Sequence, residues 1–367
     1  MFKISILKLL YFLSAIMTVF ALFGSVRGDN GGRLILSLEV GNGEEQLHLS
    51  YGSVIGHRAD GSLFYIVSGP GDYAVDSKGN IYIADSYNCR IKKFDKDGRF
   101  LFAFGKRGKG GGEFEMFTNG SVAIDKDDNF YIIDCRSFLP GQNKEGHYHR
   151  IEKFDSSGTF LLSIEKIDDQ WLGGIHDFSV SNAGHITFRT SIRGCSSTYY
   201  KFDSTGRFLG EISEGDRNED NMGNTYYISK VGEHQTSLFK KVNRGKGILE
   251  KDDRFNISFS NDLSIQFVKI LGFDENNILY IITSDNCEVE TGKTKVLEGI
   301  DDDSQRVCGL SSEGELISVR KFKFIPGSRI KMDIHGNIYR LVYNIKNLTK
   351  YTQGDKVEVW KYEVKGE

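Results

Sequence analysis

One pattern recurs six times along this 367-residue chain, and that repetition constrains the fold more than any other feature. The clearest copy reads DSKGNIYIADSYNCRIKKFDKDGRFLFAFG, from Asp76 to Gly105. It returns from Asp125 as DKDDNFYIIDCR, an insertion, and HRIEKFDSSGTFLLSI from His149. SNAGHITFRT from Ser181 goes with YYKFDSTGRFLGEI from Tyr199, and DENNILYIITSDNC from Asp274 with RVCGLSSEGELISV from Arg306. DIHGNIYRLVY from Asp333 goes with KVEVWKYEV from Lys356. A degenerate copy fills the gap, with its turn expected at Lys230 and a further landmark at Lys251 in KDDRFNISF. The turns at 76, 125, 181, 230, 274 and 333 stand 44 to 59 residues apart. A repeat of this length cannot bury its own apolar face and must stack on its neighbours.

Each copy has the same physical grammar. An apolar strand enters an Asp-x-x-Gly turn, an alternating strand follows, and then a loop of variable length. A third strand leads into Phe-Asp-x-x-Gly, and a fourth alternates Phe and Leu. The 42 Gly and 3 Pro suit many tight turns, and no helical period occurs anywhere. The expected fold is all-β: a six-bladed β-propeller of four-stranded antiparallel blades over residues 29–367. The sixth copy stops after its third strand, while Asn30-Gly-Gly-Arg-Leu-Ile-Leu matches the turn and fourth strand at Asp97-Gly-Arg-Phe-Leu-Phe-Ala. The N-terminal strand is therefore expected to complete the last blade and close the ring. Residues 44–68 form a long lead into blade one, with strand-like stretches at 46–50 and 63–67.

Residues 1–28 are different in kind. Lys3 and Lys8 precede an apolar run from Leu9 to Val26, as in a secretory signal or an uncleaved N-terminal membrane anchor. Either reading sends the chain out of the cytoplasm, to a periplasmic or extracellular place. The whole chain has a formal charge of −3, and without Lys3, Lys8 and Arg27 the exported part is more acidic still, so nucleic acid is not an expected partner. Export permits disulfides, and Cys287 and Cys308 bracket the acidic loop of blade five, making them the expected pair. The protein is expected to be a monomer.

IYIADSYNCRIKKFDKDGRF, with Gly105 and GKGGGEF behind it, resembles an NHL repeat. The second copy matches through Asp134, Arg150 and Phe154, and the others less. The resemblance implies a six-bladed propeller like those of exported bacterial proteins. The NHL family includes RNA binders, protein-binding modules and the lyase half of peptide-amidating enzymes, so the fold does not choose a function.

Asp76, Asp125, Asp274 and Asp333 are expected to be turn-formers that bond their own backbone, not ligands of a cation. Recognition is expected on the opposite face, where the long loops at 136–149, 284–305 and 344–355 gather. There Asp72, Asn119 and Asp177 approach the axis in blades one to three, where a gluconolactonase-type propeller would place calcium ligands. Blades five and six offer Lys269 and Arg329 instead, which suits an anionic ligand. Arg136 and His176 join these as candidate binding residues. His147, His149 and His176 form a candidate zinc triad, an extended His-x-His plus a third imidazole. No nucleophile elbow, zincin motif or P-loop is present. The expected function is an exported, non-enzymatic scaffold, without cofactor, that binds a protein, peptide or small ligand on its loop face. The alternative is a zinc- or calcium-dependent lyase or hydrolase at the channel mouth.

Overall fold

The computed structural model describes residues 32–57, 63–115, 117–137, 147–190, 198–231, 235–245, 248–260, 268–284, 288–290, 295–296, 304–323, 329–346 and 350–363. Six antiparallel sheets of at least four strands make the six blades. Blade one is Tyr73–Val75, Ile81–Asp85, Arg90–Phe94 and Phe100–Phe104. Blade two is Phe117–Ile124, Phe130–Ser137, His147–Phe154 and Phe160–Ile164. Blade three is His176–Val180, Ile186–Thr190, Thr198–Phe202 and Phe208–Ile212. Blade four is Asn218–Glu219, Thr225–Lys230, Gln235–Asn243 and Leu249–Ser260. Blade five is Val268–Phe273, Leu279–Ser284, Ser304–Leu310 and Leu316–Lys323. Blade six takes Arg329–Met332, Ile338–Asn344 and Lys356–Tyr362, and the N-terminal strand Arg33–Val40 pairs antiparallel with the last of these.

Two expectations need correction. Blade four turns at Asp220-Asn-Met-Gly223-Asn224, not at Lys230, which ends the second strand ten residues later. The Asp220 carboxylate accepts the amides of Met222 and Asn224, as its counterparts do elsewhere. Lys251 falls within the fourth strand. The blade-five insertion is not wholly a projecting recognition loop either. Its described part, Glu288–Glu290 with Lys295–Val296, adds to the outer strand of blade four at Ser258–Ser260. It thereby covers a sheet edge that would otherwise offer unpaired backbone groups.

Five of the six first-to-second-strand turns share one device. The turn aspartate accepts amides two and four residues on, and the hydroxyl of a tyrosine six residues on. Asp125 takes the Tyr131 hydroxyl at 2.8 Å, and Asp76, Asp220, Asp274 and Asp333 take Tyr82, Tyr226, Tyr280 and Tyr339 at 3.0 to 3.3 Å. Burial, and then the facing carboxylate, raise these phenols above their ordinary range, that of Tyr280 to about 12. Blade three has Ser181 and Thr187 at the two positions and lacks the pair.

Neighbouring turns are also tied to one another, forming a belt round the axis. Ser77 N donates to Asp128 Oδ1, Lys126 N to Asn182 O, and Asn182 Nδ2 to Asn221 Oδ1. Asn221 N donates to Asn277 Oδ1, Glu275 N to Ile334 O, and His335 Nε2 stands 2.8 Å from Ser77 O. These links pass through all six blades and return to the first.

Apolar clusters fill the joints between blades one and two, two and three, four and five, five and six, and six and one. Lysines latch three of the joints. Lys93 donates to Ser156 O, Lys153 to Ser204 O and Lys240 to Ser312 O, at 2.8 to 2.9 Å, each reaching over a tyrosine ring of its own blade. Between blades three and four the described residues place a polar group instead: Glu219 takes Lys201 and His185, each at 2.8 Å. Among the described residues no helix is long and apolar enough to cross a membrane.

Candidate functional site

Antiparallel strands place the Asp-x-x-Gly turns on one face and the start of every first strand on the other. Residues at these starts ring the mouth of the central channel. In blade one Asp72 is 1 % exposed; its Oδ2 accepts from Lys331 Nζ of blade six at 2.9 Å, and its Oδ1 lies 3.4 Å from Arg329 Nη1. Burial alone would push this carboxyl up, but the two cations outweigh it and hold it below the usual range. Lys331 Nζ also donates to Val122 O of blade two at 3.3 Å. One side chain thus spans from blade six across blade one to blade two. Arg329 donates to Gly71 O, and Tyr73 returns a bond to Arg329 O at 3.1 Å.

A second cluster stands on blade three. The Asp177 carboxylate accepts from Arg189 Nε and the Tyr199 hydroxyl, both at 2.9 Å, with Arg217 Nη1 at 3.9 Å. Both guanidinium groups lie over the Tyr199 ring, 5.8 and 5.6 Å from its centre. Burial opposes ionisation of Asp177, yet Tyr199, Arg217 and Arg189 hold its pKa down. For Tyr199 burial and Asp177 act together and push the phenol up to about 12.

Lys269, from blade five, points into the space between these clusters. It forms no hydrogen bond or ion pair with any described residue. Its side chain is exposed to water. Burial lowers its pKa, Lys331 and Arg217 add to that, and Asp72 and Asp177 pull the other way. Four other blades therefore act on this one ammonium. Lys269, Arg329, Lys331, Arg217 and Arg189 face the two carboxylates Asp72 and Asp177, with Glu214 farther out. The mouth is cationic in a chain whose net charge is −3.

The sequence candidates meet different fates. Asp72, Asp177, Lys269 and Arg329 come together here, and His176 is exposed at the start of blade three. Arg136 does not belong to the mouth. It is 1 % exposed and donates to the carbonyls of Gly108, Gly110 and Glu113, clamping the loop that arrives from blade one. An arginine at a strand end beside a long loop reads alike whether it faces outward or folds inward. The Asn119 side chain, residues 138–146 and Cys287 lie outside the described residues. Cys308 is buried opposite Ile281.

His149 Nδ1 accepts the amide of Ile175 at 2.9 Å, and burial, then His176 and His147, depress its pKa. Both other imidazoles therefore act on the His149 ring. Among the described residues, however, no three His, Cys, Asp or Glu side chains are grouped to hold a metal ion.

Lys331, Arg217, Arg189 and Tyr199 were not found from sequence. Lys331 had a signal, two residues past Arg329 on the same strand and therefore on the same side. Arg217 was hidden by the misplaced blade-four turn, since with the turn at Asp220 it falls three residues ahead, level with Tyr73 of blade one. Arg189 and Tyr199 sit on second and third strands, where no repeat position marks a channel-facing residue.

Residues 74–191 match the DUF5128 family, described as a 6-bladed beta-propeller. Over 117 residues, 32 % of this chain, the sequence is 31 % identical to the protein brain tumor of Drosophila melanogaster, but the match spans only 10 % of that protein's length. Similar solved structures include a gluconolactonase from Xanthomonas campestris, with 11 % identity, 92 % of this chain and 99 % of that one covered, and a TM-score of 0.42. Virginiamycin B lyase from Staphylococcus aureus gives 11 %, 80 %, 95 % and 0.41. A putative exported protein from Bacteroides fragilis gives 12 %, 89 %, 98 % and 0.40. The six repeats, the six antiparallel blades and the family match over 74–191 identify the chain as a six-bladed β-propeller.

Proposed function

We propose that this propeller is an exported, NHL-like binding scaffold whose channel mouth takes an anionic group, a carboxylate or phosphate, of a small ligand or peptide. The observation that carries this reading is Lys269. Among the described residues Arg329, Lys331, Arg189 and Arg217 each have a carboxylate partner, whereas the Lys269 ammonium forms no ion pair. An ammonium set beside further cations at the mouth binds an anion more strongly than an isolated surface lysine does. Arg329 and Lys331 are held by Asp72, and Arg189 and Arg217 by Asp177, so the walls are set before the ligand arrives.

The metal-dependent alternative fits this donor set poorly. The two carboxylates are already held by ammonium and guanidinium groups, and a divalent cation would have to displace Lys331 from Asp72 while facing Lys269. Purified protein is therefore expected to carry no stoichiometric zinc or calcium by elemental analysis.

The test is a thermal-shift and calorimetric screen of small carboxylates and phosphates with wild type and Lys269→Met. A ligand class that raises the wild-type melting temperature should bind the variant roughly ten- to a hundredfold more weakly, the scale of one charge-assisted hydrogen bond. The variant should melt with unliganded wild type, because Lys269 has no bond to a described residue to lose. Equal affinities in the two proteins would refute the reading, and turnover of a bound ligand would move the protein to the enzymatic class.

A further inference from the structure

A second cationic centre lies at the opposite end of the molecule, on the turn face where blade six meets blade one. A cleft there is lined by Arg33, Lys78, Lys96, Lys361 and His335, with Asn337 beside them. Lys96 is paired with Asp97 at 3.1 Å, whereas Arg33, Lys78 and Lys361 form no ion pair with any described residue. Asp333 is the carboxylate in the wall, and it is buried and occupied. It accepts from the His335 and Asn337 amides, the Asn337 side chain and the Tyr339 hydroxyl. Among the described residues Arg33, Lys78 and Lys361 thus line the cleft without an ion-pair partner, Lys361 lying over the Tyr339 ring, in a protein of net charge −3.

The fourth strand of a blade starts on the face that bears the turns, so the strand opening at Arg33 enters the fold beside this cleft. Only residues 27–32 separate Arg33 from the apolar run Leu9–Val26, at most about 20 Å of fully extended chain. An 18-residue run of this kind is long enough to span a bilayer core. With Lys3 and Lys8 ahead of it, the run would leave the propeller on the far side of the membrane. Six residues would then hold the turn face against the lipid headgroups.

We propose that the turn face docks on an anionic phospholipid surface, with the cleft at the joint of blades six and one taking lipid phosphate through Arg33, Lys78 and Lys361. The inference rests on Leu9–Val26 being retained as a tether, and it is independent of what binds at the channel mouth. It has a functional consequence. Since the two faces are opposite, a docked propeller holds its channel mouth away from the membrane, open to soluble ligands.

The full-length chain, reconstituted in nanodiscs of phosphatidylcholine alone or mixed with phosphatidylglycerol, tests this directly. A water-soluble acetylating reagent is applied and modification is read by mass spectrometry at single lysines. Phosphatidylglycerol should slow acetylation of Lys78 and Lys361 roughly fivefold or more and leave Lys269 unchanged, and high salt should abolish the difference. Equal rates in the two lipids would overturn the proposal, as would equal slowing at Lys269. Recovery of the chain apart from the discs would overturn it through the tether. Inorganic phosphate giving the same protection without phosphatidylglycerol would replace the lipid surface with a soluble anion.

Discussion

At the scale of single residues, the recurring unit is a buried carboxylate that closes its own turn and receives a phenol. The Tyr131 hydroxyl has no route to water, so Tyr131→Phe leaves Asp125 short of a partner. A loss of roughly 1.5–3 kcal/mol by chemical denaturation is expected. Arg136→Ala should cost more, about 3–5 kcal/mol, because it leaves buried Asp134 and three loop carbonyls undercompensated. It should leave ligand binding at the mouth intact, which separates a clamp from a binding residue. The turn aspartates were legible because Asp-x-x-Gly specifies a local geometry. Arg136 was not, because its partners are carbonyls of a loop delivered by another blade.

At the scale of elements, the N-terminal strand shows how pattern and register share the decision. Simple alternation would put Leu34, Leu36 and Leu38 on one face. A bulge between Leu34 and Leu36 breaks it, so Leu34 is 43 % exposed while Ile35, Leu36 and Leu38 enter the core between blades six and one. Leu36→Ala should therefore cost about 2–5 kcal/mol and Leu34→Ala very little, read as paired melting curves. Gly98 guards the same contact from blade one. Its φ is 82°, and a Cβ there would stand 2.2 Å from Ile35 O, so Gly98→Ala should destabilise by more than about 1 kcal/mol. In blade five the register places Ser284 opposite Gln305 and Cys308 opposite Ile281. A Cys287–Cys308 bond needs the chain to double back along its own strand by about 10 Å. Peptide mapping without reductant decides whether it does.

At the scale of the molecule, the ring is only as strong as its joints, and these differ. Among the described residues five have apolar clusters, while the joint of blades three and four is tied by Glu219 with Lys201 and His185. Burial opposes the Glu219 charge, but its two partners hold the pKa below the ordinary value of 4.5. That stability is present above pH 4.5 and is lost as pH falls through the folded value. Hydrogen exchange should show this joint opening first in mild acid. The joint of blades six and one behaves oppositely. His335 stands 2.8 Å from both Glu275 Oε1 and Ser77 O, and these bonds raise its pKa above 6.5. Its contribution is complete below pH 6.5 and fades as pH rises through the folded value. The melting difference between wild type and His335→Gln should shrink accordingly toward alkaline pH.

From sequence alone follow the number of blades, the turn positions of five of them, the aspartate chemistry of four of those turns, and the strand that completes the sixth blade. Each of these rests on local spacing: Asp-x-x-Gly sets a turn, and alternation sets a strand face. Tertiary structure alone decided which charges meet at the channel mouth. Lys269, Lys331, Asp72, Arg217 and Asp177 come from five blades and lie as far as 259 residues apart in the chain. No local pattern encodes their proximity, because it arises only when stacked blades bring their first strands round a common axis.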